Sequence, residues 1–174
     1  MVKGFYEDLK KAKKGEAIVL NVLKHTTEDY IFCDVSDKPE YYYKGDIKAL
    51  DNSWGLEEYY LDVKMDSRIA ETLNILCEGK VYYKESGTYG KGNMQSDYDY
   101  LAIISVEAQR IFIIDFAKLK KHYKEGKPYS KDHGEQITYG TLFPMSKAWK
   151  YNMVEAVIDY EKRNGKYVPT KIER

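Results

Sequence analysis

Asp46, Asp62 and Lys64 are the side chains whose types and spacing could do chemistry. They lie in KGDIKALDNSWGLEEYYLDVKMD, residues 44–66, which reads as a β-hairpin with arms Tyr41–Leu50 and Leu56–Met65 around the turn-forming DNSWG. In the second arm Tyr59, Leu61, Val63 and Met65 point one way and Tyr60, Asp62 and Lys64 the other. A turn centred near Ser53 sets Asp46 opposite Tyr60, one diagonal step from Asp62, with all four even-numbered side chains on one face. Two carboxylates converging in this way suit Mg²⁺, which takes oxygen ligands from one or two carboxylates, waters and substrate phosphate. Such an ion polarises a phosphoryl oxygen and helps generate hydroxide, and Lys64 on the same face can orient the attacking water or neutralise charge on the phosphate. An acid–any–lysine triplet is common by chance, and a solvated strand face explains it without chemistry. The upstream Gly45-Asp46 in an adjoining strand, a helix before it and the hairpin spacing weigh the other way.

The elements that must hold these residues follow from periodicity. Residues 3–24 read as a helix or helix pair, with Phe5, Leu9, Ala12, Glu16, Val19 and Leu23 on one face and Gly15 as a possible break. Strands are expected at about 30–35, 74–83, 100–105, 110–116 and 136–143, and a short basic helix over 117–125. Glycine-rich 85–96 reads as a flexible loop, as do residues 126–134, and a final helix is expected over about 146–164, stopped near Gly165. This order predicts one α/β domain over residues 1–174 around a mixed sheet, with a core at about 3–125 and a C-terminal strand-and-helix extension from 126.

Composition narrows the classes. With 28 basic and 28 acidic residues the formal charge is zero, so nucleic-acid binding would need a local basic patch. Lys10, Lys11, Lys13 and Lys14, or Lys118, Lys120, Lys121 and Lys124, could form one, although charge runs are usually solvated faces. The 18 tyrosines suit strands, wet interfaces or stacking on unpaired bases. Cys33 and Cys77 lack partners at zinc spacing, the N-terminus is too charged for a secretory signal, and no apolar run approaches a membrane span, so a reduced, cytoplasmic setting away from membranes is expected. His25, His122 and His133 are dispersed, and Asp97 and Asp99 read as strand-capping or solubilising acids.

The acid in one strand followed by acid–any–lysine in the next, here Gly45-Asp46 and then Asp62-Val63-Lys64, resembles the PD-(D/E)XK nuclease superfamily. TLNILCE, SGTYGKGNMQSDYDYLAII and FAKLKKHY resemble segments of a phage and mobile-element branch, extending the likeness over roughly residues 10–125. The resemblance implies a restriction-endonuclease-like core, a mixed sheet flanked by helices, and an acid on the helix before the hairpin. Glu16, in GEAIVLNVL, fits that acid; if Gly15 starts a new helix, Glu16 is instead an early helical acid facing the dipole. Glu7 is a second choice, and Glu78 an outer ligand or an exposed position. It further implies an endonuclease acting on nucleic acid, DNA foremost, with Mg²⁺ or substituting Mn²⁺ on Asp46, Asp62 and the Val63 carbonyl, Glu16 holding a water, and a homodimer. Three positions depart from the pattern: Gly45 replaces the proline that names the motif, Asp62 stands for glutamate, and Leu73 stands where the branch favours glycine. The alternative is a non-catalytic nucleic-acid- or protein-binding module on the same fold.

Overall fold

A computed structural model describes residues 3–41, 43–52 and 57–174, and their side chains apart from residues 3–6 and 8. The Phe5 side chain, Tyr42 in the first hairpin arm and turn residues 53–56 lie outside the described residues.

Helix α1, Lys3–Leu23, runs unbroken through Gly15. Glycine in a helix interior costs ~1 kcal/mol relative to alanine. Here it permits a close approach, because a Cβ at residue 15 would lie 2.6 Å from Met65 Cγ. Ile18, Val19, Val22 and Leu23 bury their side chains against a sheet, while Leu9 remains 46% exposed.

That sheet has seven strands in the order β1 (Tyr30–Asp34), β2 (Ile47–Asp51), β3 (Glu58–Met65), β6 (Tyr100–Ser105), β7 (Arg110–Asp115), β10 (Val154–Arg163), β11 (Lys166–Glu173). β1, β2 and β3 form an antiparallel meander, and β3 pairs with β6 in parallel. Central β6 and β7 are covered on both faces, which is why YLAIIS and RIFIID read as continuous apolar runs. A parallel pair needs a crossover. The chain makes it through short α2 (Ile69–Thr72), β4 (Asn74–Tyr83) and β5 (Thr88–Lys91). β4 and β5 join β8 (Lys127–Asp132) and β9 (Gln136–Pro144) in a second, antiparallel sheet of order β5-β4-β9-β8.

Two cores result. One holds α1 against Ile47, Leu61, Val63, Ala102, Ile104 and Ile113. The other joins the opposite face of the large sheet to the second sheet and to α3 (Phe116–His122) and α4 (Met145–Lys150), around Phe116 and Phe143, both fully buried. α3 begins where the Asp115 carboxylate accepts the Lys118 N–H at 3.0 Å. The architecture is mixed α/β, a mixed sheet flanked by helices. No helix among the described residues is long and apolar enough to cross a membrane.

Three expected elements differ. The helix expected over 146–164 stops at Lys150, and β10 and β11 follow as a hairpin. Asn152, with φ 51°, turns the chain out of the helix, and Val154, Val157, Ile158 and Tyr160 favour a strand. Gly165 is no helix stop: with Asn164 it forms a two-residue turn, both at positive φ (49° and 80°), between paired Arg163 and Lys166. The expected loop at 126–134 is mostly edge strand β8, whose KPYSKD lacks an apolar face. Part of the expected loop at 85–96 is β5.

Candidate active site

Gly45 sets the position of Asp46. Its φ of 128° is closed to other residues, and a Cβ there would lie 2.6 Å from the Leu61 carbonyl oxygen. Proline, locked near φ −65°, is therefore excluded at this point, which accounts for that departure from the motif. From here the Asp46 N–H donates to the Leu61 carbonyl at 2.8 Å, and the Asp46 carboxylate accepts the Val63 N–H at 2.8 Å. Ile47 pairs with Leu61, and Asp46, just before β2, is hydrogen-bonded to Leu61 and Val63, the residues on either side of Asp62. The expected register had Asp46 opposite Tyr60; Lys48 occupies that place. The pairing of Leu50 with Glu58 centres the hairpin on residue 54 rather than 53. That slides the partner by two residues and preserves the face. Ile47, Ala49, Leu61 and Val63 all pack in the α1 core, so the alternation turns Asp62 and Lys64 to the other face.

The site is acidic and enclosed. The Asp62 side chain is 16% exposed, and its buried Oδ2 lies 3.1 Å from Lys64 Nζ. Glu16, 9% exposed, places its buried Oε2 3.2 Å from Lys13 Nζ. Lys13 is shared with Asp37 and the Ser36 hydroxyl, each at 2.7 Å. Burial pushes the Glu16 carboxyl above its ordinary range, and the Asp46 charge adds to the shift. Burial and then the Asp62 charge raise Asp46, against the Val63 N–H and Lys64. Asp62 is raised by burial against the pull of Lys64, with Glu16 and Glu78 contributing. Desolvation works to lower the Lys64 pKa, but the Asp62 carboxylate outweighs it and the net shift is upward.

The hairpin thus brings Asp46, Asp62 and Lys64 together, with Val63 between the last two and its N–H taken by Asp46. α1 carries Glu16 within electrostatic reach of both aspartates. Among the described residues no group of three or more His, Cys, Asp or Glu side chains is gathered as an ion site. The all-oxygen pair Asp46 and Asp62, with Asp62 Oδ2 buried against the Lys64 ammonium, has the donor chemistry that a hard divalent cation takes. Glu7 is exposed. Of the lysine candidates, Lys118 pairs with Asp115 at 2.8 Å and Lys120 donates to the Ser96 carbonyl. Asp99 accepts the Tyr60 N–H at 2.8 Å, a backbone-capping role.

Two residues gain weight. Glu78, weighed as an exposed strand position, is half-buried and close enough to bear on both Asp62 and Lys64. Tyr98, 6% exposed and packed at 3.9 Å between ring centroids on Phe116, holds a buried hydroxyl without a hydrogen-bond partner, and the charges of Asp62, Glu78 and Asp46 all act on it. A lone tyrosine between two aspartates carries no signal in sequence that would have singled it out. Neither family models, nor curated proteins, nor solved structures match this chain.

Proposed function

We propose that the chain is a divalent-metal-dependent nuclease with a restriction-endonuclease-like core, hydrolysing phosphodiester bonds of nucleic acid, with DNA as the substrate to test first. The observation that carries this reading is Asp46, just before β2, hydrogen-bonded to the residues on either side of Asp62 in β3, with Lys64 two residues further along β3. The mixed sheet flanked by helices, with Glu16 projecting from the helix before the hairpin, supports it.

Asp46 and Asp62 would hold Mg²⁺ or Mn²⁺, with the Val63 carbonyl as a further oxygen. When bound, the ion would polarise a phosphoryl oxygen and acidify water. Lys64, about half exposed, is free to move from Asp62 to the scissile phosphate, where its ammonium neutralises developing charge and orients the nucleophilic water. Glu16, its carboxyl raised by burial and then by the Asp46 charge, is placed to accept or return a proton.

The test is incubation of the purified chain with plasmid and with single-stranded DNA, in Mg²⁺ or Mn²⁺ and then in chelator. Metal-dependent cleavage reduced about 10²–10⁴-fold by Lys64→Ala, and abolished by Asp62→Asn, is the expected result. Cleavage indifferent to both substitutions would refute the assignment. Binding without cleavage would place the chain among non-catalytic binding modules.

A further inference from the structure

Beside Lys64 the two sheets leave a cleft of about 270 Å³. One wall is the exposed face of the second sheet, where pairing aligns Tyr129 on β8 with Gly140 on β9 and Gly140 with Glu78 on β4. Gly140 has no side chain, and the strands approach so closely that a Cβ there would lie 1.9 Å from the Cys77 carbonyl oxygen. Lys131, two residues along β8, shares the face of Tyr129, and Arg68 and His133 complete the polar rim.

The charges in this cleft are arranged by position. Glu78 lies at the end near Lys64 and Asp62, whereas Arg68 and Lys131 have no ion-pair partner among the described residues. Elsewhere Lys13, Lys48, Lys84 and Lys118 are each occupied by a carboxylate. Asp66, also in the cleft, accepts the Arg68 backbone N–H at 2.9 Å and leaves the guanidinium free. The half-exposed Tyr129 ring has no ring partner among the described residues. Unpaired cations along a groove with an aromatic face suit a nucleic-acid strand: phosphates follow the charges and a base stacks on the ring. The volume suits one unstacked base with its sugar.

We propose that this cleft is a subsite for one unpaired nucleotide next to the scissile bond, so that the substrate class is single-stranded nucleic acid or an unpaired end. The identification of the ligand rests on the nuclease reading above. Fluorescence anisotropy of the full chain with a labelled single strand and the matching duplex, in chelator across a salt series, measures binding; Mn²⁺ then measures cutting. The wild type is expected to favour the single strand. Tyr129→Ala should weaken strand binding by about tenfold, with Tyr129→Phe close to wild type. Lys131→Ala, at an exposed position that leaves folding intact, should weaken binding and reduce the salt slope by about 0.7. A duplex preference, no strand binding by the wild type, or strand affinity unchanged in both alanine variants overturns the subsite. Metal-dependent cutting of duplex that ignores Tyr129 and Lys131 overturns the subsite alone. Strand binding that depends on both, without cutting, supports the subsite and removes the nuclease assignment.

Discussion

Asp46→Asn should make the metal-free protein more stable at neutral pH while destroying its metal response. An asparagine oxygen can still accept the Val63 N–H that Asp46 accepts at 2.8 Å, so the substitution removes charge with little change of shape. Asp46 accepts from the residue next to Asp62, and cross-strand neighbours place their Cβ atoms ~5–6 Å apart. Two unit charges at that separation repel by about 3 kcal/mol at an effective dielectric of ~20. Lys64, 3.1 Å from Asp62, cancels part of this, leaving about 1–2 kcal/mol to be regained. For a domain of this size that is a rise in Tm of about 3–6 °C.

The pH dependence has a definite sign. Glu16, Asp46 and Asp62 are all raised above ordinary values of 4.5, 3.8 and 3.8, so the folded chain keeps protons that the unfolded chain has released. The stability they contribute is full below those ordinary values and is lost as pH rises through the elevated folded ones. Wild type should therefore weaken from about pH 4 toward neutrality, and the variant should weaken less. Thermal melts in chelator at about pH 5 and about pH 8, repeated with Mg²⁺, measure both effects. Mg²⁺ should raise the wild-type Tm at the higher pH and leave the variant unmoved. A variant less stable than wild type in chelator at the higher pH, with the same pH dependence, would show that the carboxylates do not crowd one another.

Three further outcomes are expected. Gly45→Ala, forced to φ 128° against the Leu61 carbonyl, should cost about 3 kcal/mol in urea unfolding and reduce cleavage even where the protein remains folded. Leu73→Gly should stabilise by about 0.5–1 kcal/mol, because Leu73 ends α2 in the left-handed conformation, φ 50°, with a half-exposed side chain; equal or lower stability in denaturant titration would contradict this. A thiol reagent should label Cys33 in the native protein and Cys77 only in denaturant, since Cys77 is fully buried with its thiol pushed up to about 12.

The legible part of the site was the face, not the register. Leu61-Asp62-Val63-Lys64 alternates apolar and charged, and that period alone separates the α1 side of β3 from the acidic side. Where Asp46 falls along β3 depends on the geometry around residue 54, which the turn-forming composition of DNSWG leaves open to a two-residue slide. α1 is legible from its stripe, whereas the need for glycine at residue 15 comes from Met65 lying against it, a contact from distant sequence. The C-terminal hairpin is hard to see in sequence because Asn164-Gly165 serves equally as a helix stop and as a two-residue β-turn, and the β-branched residues before it are the discriminating signal. Edge strand β8 gave no apolar pattern because water covers much of it. The same exposure leaves Tyr129 and Lys131 invisible as a pair until β9 aligns them beside Glu78.

Gly15 bears on more than helix packing. The residue that follows it is Glu16, and the side chain it lies against, Met65, follows Lys64. A single missing methyl group thus acts as the spacer between helix-borne Glu16 and strand-borne Lys64. Bulk added there would lift one from the other without altering either, so the width of the acidic centre is set by a position outside it.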